Sequence, residues 1–185
     1  MTTIVAVRKN GIVAIAADTL TTFGNTRLPA AMDSSHDKIL HLGDSHVGVC
    51  GSAAHHLVLA NLLSKSPDIQ LNSKEAIFET FRKLHPVLKE ECFLNPKEDE
   101  EDPYESSQIT ALIINASGLY GIFSMREVFE STHSTGLSVR ATSLHWVRCS
   151  TPTRVLTMRS TLPAPGSKLG LPSTKTAQLR LPYTQ

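Results

Sequence analysis

TTIVAVRKNGIVAIAADTLTTFGN, residues 2–25, enters an apolar strand directly behind two threonines. Residues 3–8 and 11–17 are apolar and β-branched, and Asn10-Gly11 between them is a strong short hairpin signal. The two strands are expected to pair antiparallel in a buried sheet. Chain termini are usually polar and loosely held. Here Ile4, Val5 and Val7 hold Thr2 against the core almost from its first atom. That arrangement suits a terminus that is itself used. A threonine hydroxyl is a poor nucleophile, but as the first residue of a mature chain its own α-amine can act as the base, with a reference pKa of about 7.7–8.0. Met1 precedes the small Thr2, so an aminopeptidase can expose that amine.

Working outward, residues 20–37 read as loop, with Gly24-Asn25 and Pro29 as breakers. A second apolar pair follows: KILHL (38–42), a turn at Gly43-Asp44, and HVGVCG (46–51). AAHHLVLANLLSK (53–65) has Leu59, Leu62 and Leu63 at helical spacing. A second helix is expected from Asn72, with Glu75 three residues on as in a capping box, a stripe of Ile77, Phe81, Leu84 and Leu88, and a kink or break at Pro86. The acidic run NPKEDEEDPYE (95–105) reads as a solvated loop, with a docking site for a basic partner as the alternative. ITALIIN (109–115) and GLYGIFS (118–124) form a further hairpin around Ser117-Gly118. Two hairpins, two helices and another hairpin give an α+β fold, an antiparallel sheet covered by helices.

The bulk numbers narrow the function. A chain of 185 residues is one ordinary domain, able to bury roughly 70% of its unfolded surface. A net charge of +1 argues against nucleic acid or an anionic membrane as the main partner. No apolar run reaches the roughly 18 residues of a transmembrane helix, and no secretory signal is read at the start. Cys50, Cys92 and Cys149 lack metal or disulfide spacing and suit a reducing, cytoplasmic setting.

The combined pattern around the opening stretch resembles the amino-terminal segment of HslV and of proteasome β-subunits, and a bacterial proteasome homologue most of all. It has a Thr-Thr start, a strand, Asn-Gly, a second strand ending in Asp, and then Gly-Asn. The match continues through DKILHL to GVCGSAAHHL and covers about residues 2–125. The resemblance implies an N-terminal-nucleophile (Ntn) hydrolase with a four-layer αββα sandwich. It implies a proteasome-type threonine peptidase without cofactor or metal, built of identical subunits in stacked rings. Peptide or unfolded protein is then the substrate, and a cytoplasmic ATP-driven unfoldase a candidate partner. Carried over by position, Thr2 is the nucleophile and Asp18 the carboxylate behind it. Lys38 is the cation that favours the ionised hydroxyl and the neutral amine. The N–H of Gly51 stabilises the oxyanion, and Val49 and Ala53 line the first specificity pocket, which suits a small to medium apolar side chain.

Taken alone, Asp18 reads as a turn carboxylate, Lys38 as a solvated charge, and Cys50 as a small buried hydrophobe. His55 and His56 read as a helix-start pair without chemistry. His36, His41 and His46 recur every five residues, but strand spacing is expected to send them to different faces, which argues against a shared metal site.

The pattern breaks near residue 130. All 17 acidic residues lie in 1–130 against 11 Lys and Arg, a balance of −6; residues 131–185 carry seven Lys and Arg and no acid, a balance of +7. That stretch also holds 18 Ser or Thr and five Pro, and no element is assigned to it. The domains are therefore a truncated Ntn-hydrolase domain over 1–130 and an aberrant, poorly ordered tail over 131–185, leaving the sandwich incomplete at its carboxyl-terminal end. Out-of-frame translation explains the tail. Read one nucleotide earlier with permissible codons, residues 160–184 become an acid-bearing helical string followed by a strand, resembling the family's carboxyl-terminal end. A non-catalytic ring subunit of the same fold is the alternative function, and an Ntn amidohydrolase acting on a small amide is a third.

Overall fold

The computed structural model describes residues 2–9, 12–28, 32, 37–66, 69–97, 99–131, 135–140, 143–148 and 174–180. Strands β1 (Thr3–Lys9) and β2 (Ile12–Asp18) pair antiparallel from Ile4↔Ala17 to Lys9↔Ile12, as their alternation predicts. Residues 10–11, where the turn is expected, lie outside the described residues.

A second sheet is built from β5 (Ile39–Leu42), β6 (Ser45–Cys50), β7 (Thr110–Ile114), β8 (Leu119–Ile122) and β9 (Val128–Glu130), in that spatial order. Its β7 residues are buried on both faces and divide by parity. Ala111 and Ile113 join Val47, Val49, Leu59, Ile77, Phe81 and Leu88 beneath two helices, α1 (Ala53–Lys65) and α2 (Lys74–Glu90). Leu112 and Ile114 join Ile4, Ala6, Val13, Ile15 and Ile39 between the two sheets. The described layers therefore run helices, sheet, sheet: an α+β sandwich. Gly48 sits where the sheets approach closely, since a Cβ there would meet Ile4 Cγ2 at 2.8 Å and Ile15 Cδ1 at 3.0 Å.

Several expectations need correction. Residues 20–37 are not all loop: β3 (Thr21–Phe23) and β4 (Thr26–Leu28) form a small hairpin, because Gly24 takes φ +56° and closes a tight turn with Asn25. The second helix is capped by Ser73 rather than started by Asn72. The Ser73 hydroxyl accepts from Ala76 N at 3.1 Å, leaving Glu75 as a first-turn acid. Pro86 does not end this helix, which runs on to Glu90 with its apolar stripe buried. Strand β9 was not foreseen because three residues carry too little periodicity to register.

The largest correction concerns the segment after Glu130. It contributes β10 (Thr135–Arg140), β11 (Ser143–Arg148) and β12 (Thr174–Arg180). β10 pairs with β1 and β12 with β2, giving the order β11-β10-β1-β2-β12. Ladder hydrogen bonds use only the backbone, so an open strand edge accepts an extended segment without any side-chain pattern. Both edges of the β1–β2 pair are thus occupied. The outer face of that pair (Val5, Val7, Ile12, Ala14, Ala16) is only half-buried, and no helix among the described residues covers it.

Candidate active site

The antiparallel pairing of β1 and β2 brings the start of the chain beside the end of β2. Asp18 there accepts from Thr3 N on Oδ1 at 2.6 Å, and on Oδ2 from Leu20 N at 3.2 Å and Lys38 Nζ at 2.8 Å. Lys38 also donates to the Leu20 carbonyl at 2.7 Å. Its side chain is 5% exposed and that of Asp18 24% exposed. A buried ammonium needs such partners to offset its lost hydration. Two oxygens of one carboxylate therefore join the backbone behind Thr2, the entry to β3 and the lysine into one rigid unit.

Lys38 is held from its backbone as well, since its carbonyl accepts from Val49 N at 3.1 Å. That bond brings the β6–α1 junction to the same place. Gly51 adopts φ +136°, a conformation that L side chains rarely take, and the Ser52 hydroxyl then caps α1 by accepting from Ala54 N at 3.3 Å. Cys50 donates its thiol to the Thr2 carbonyl at 3.4 Å. Burial pushes the Cys50 thiol pKa up, only partly opposed by the nearby Lys38, so the group stays protonated.

These residues surround a small open cleft of about 40 Å³. Thr2, Lys38, Val49, Gly51 and Ala53 all line it, so five of the six positions singled out in the sequence share one cavity, and Asp18 stands behind it bonded to Lys38. The sequence reading missed the other lining residues: Leu20, Thr21, Thr22, Ser52 and His56. Its position in the sequence alone gives His56 no chemistry. Its place three residues after Ala53, on the same face of α1, is the signal that was available. Among the described residues, no group of three or more His, Cys, Asp or Glu is placed to hold a metal ion. No helix of the described residues is long and apolar enough to cross a membrane.

The proteasome subunit family model matches residues 1–69. The structure superposes on BPH from Thiobacillus denitrificans with a TM-score of 0.69 and 37% identity, covering 75% of this chain and 72% of that one. The chain belongs to the proteasome subunit family. A second structure of the same Thiobacillus denitrificans protein, in complex with epoxomicin, matches this family member at 36% identity and a TM-score of 0.67, with the same coverage of both chains. No curated protein matches the chain significantly.

Proposed function

We propose that this chain is a proteasome-type threonine peptidase subunit with Thr2 as its nucleophile. The observation that carries this reading is the Asp18–Lys38 pair set behind a cleft that Thr2 lines. Once Met1 is removed, the Thr2 α-amine takes the hydroxyl proton as Oγ attacks the scissile carbonyl. The Lys38 ammonium lowers the cost of the developing alkoxide, and Asp18 keeps that ammonium charged and aimed. The backbone N–H of Gly51 receives the oxyanion. Collapse expels the amine, which leaves with the proton, and water then releases the acyl group from Thr2 by the reverse sequence. Val49 and Ala53 leave room for a small apolar side chain, in keeping with the limited volume of the cleft.

The same reading makes the chain a cytoplasmic subunit of stacked rings of identical copies. Peptide or unfolded protein is the substrate, delivered by an ATP-driven unfoldase. The relative's complex with epoxomicin leads us to expect that compound in the same cleft here. Turnover of a fluorogenic tripeptide, and none of a simple amide, is the expected behaviour, abolished in Thr2→Ala. Cleavage of the amide alone would favour the amidohydrolase reading.

A non-catalytic ring subunit is the second reading, favoured by the half-buried outer face of the β1–β2 pair. Absence of tripeptide turnover in a chain whose mass begins at Thr2 would select it. We further read residues 131–185 as a frameshifted replacement for the family's carboxyl-terminal part, on the strength of the charge break at 130. Codons in the gene that do not permit the shifted reading would refute this.

A further inference from the structure

The β5–β6 hairpin turns at Gly43–Asp44, with Gly43 at φ +54°. A two-residue turn there fixes the register as Leu42↔Ser45 and then His41↔His46. Leu40 and Leu42 face the helix-side core with Val47. Alternation therefore puts His41 and His46 together on the opposite face, contrary to the expectation that strand spacing separates them. Their ring centroids lie 4.6 Å apart at an interplanar angle of 70°. His41 is exposed on an edge strand, while His46 is half-buried. The Nδ1 of His46 is buried without a hydrogen-bond partner among the described residues. An unpaired buried ring nitrogen of this kind is costly and rare in folded proteins unless something satisfies it.

We propose that His41 and His46 form a two-imidazole site for a divalent transition-metal ion of the Cu²⁺, Ni²⁺ or Zn²⁺ class. Directly opposed antiparallel residues hold their Cβ atoms about 4.5–5.5 Å apart. That spacing lets two imidazole nitrogens converge at about 2.0–2.1 Å on one ion. The exposed His41 ring supplies the rotation that turns an edge-to-face pair into a chelating one. Imidazole nitrogen selects these ions over Mg²⁺ and Ca²⁺, which prefer oxygen. Since no third His, Cys, Asp or Glu joins the pair among the described residues, water fills the remaining positions and the affinity is moderate. The bound ion staples edge strand β5 to β6 at the turn end of the hairpin, whose other end carries Lys38 and Gly51. The site is independent of the proposed peptidase chemistry and uses none of its residues.

The test is calorimetric titration of the untagged full chain with Cu²⁺, with the electron paramagnetic resonance spectrum recorded at saturation. One Cu²⁺ per chain with nitrogen ligation is expected. Binding should weaken roughly tenfold or more in His41→Ala and in His46→Gln alike, with Mg²⁺ unable to compete. His41 is solvent-facing, so His41→Ala keeps the fold and stays informative even if the His46 variant does not. Absence of stoichiometric binding in the natural sequence, or unchanged affinity in His41→Ala, would overturn the proposal.

Discussion

Asp18 is the residue on which the cleft turns. Its carboxylate accepts two backbone N–H groups and one ammonium, while the Lys38 ammonium donates to Asp18 and to the Leu20 carbonyl among the described residues. Lys38→Met leaves the carboxylate without its counter-charge. A fully buried pair broken in this way loses about 3–5 kcal/mol; with Asp18 about a quarter exposed, we expect roughly 2–3 kcal/mol by chemical denaturation, together with loss of any peptide turnover. His55 gives a pH signature. Burial at the start of α1 lowers its pKa, so the unfolded chain binds a proton more readily than the folded one. Stability therefore falls as pH drops below about 6.5, the unfolded value, and stops falling once the pH is below the lowered folded value. His55→Ala should flatten that part of the stability–pH curve, and an unchanged slope would count against the assignment. At this scale the sequence was informative where backbone geometry follows from short signals. The Asn10-Gly11 hairpin and the Asp ending its second strand foretell that Asp18 lies beside Thr3. His41 and His46 were legible too, because a two-residue turn at Gly43–Asp44 makes them opposing residues; counting intervals along one strand hid this.

Among the elements, β6 does most to link core and cleft. Val47 and Val49 face the helices, Gly48 and Cys50 face the other sheet, and the strand ends at Gly51. Gly48→Ala would push a methyl against Ile4 and Ile15, both fully buried, the first in the strand that follows Thr2 and the second in the strand that ends at Asp18. The expected cost is about 1–3 kcal/mol of overpacking, read as a lowered denaturation midpoint with the m-value unchanged. Tolerance of alanine without loss would mean that the sheets are less closely packed than described. The helices show how far periodicity reaches. The predicted stripe of α2 is the buried one, yet its start moved to Ser73, since which of two adjacent polar residues caps a helix depends on backbone angles that no pattern encodes. Strands β10–β12 were illegible for a different reason: they are held by edge pairing, which leaves no hydrophobic signature in the sequence.

For the molecule as a whole, the two halves of the sequence meet in one sheet. The acidic 1–130 segment supplies β1 and β2, and the basic segment after it supplies both flanking strands. Truncation after Ser131 would bare both edges of the β1–β2 pair, and unpaired edges invite intermolecular pairing. The truncated chain should therefore elute as aggregate in size-exclusion chromatography where the full chain does not; a monodisperse truncated product would show that β10 and β12 are dispensable. The proposed peptidase chemistry depends above all on Thr2 acting through its own hydroxyl and amine. The direct test is rapid quenching of the full chain with excess peptide substrate, followed by mass spectrometry of the amino-terminal fragment. A fragment beginning at Thr2 and carrying the substrate's acyl group is expected, absent in Thr2→Ala. Turnover with no acyl group on that fragment, or with Met1 still attached, would contradict it.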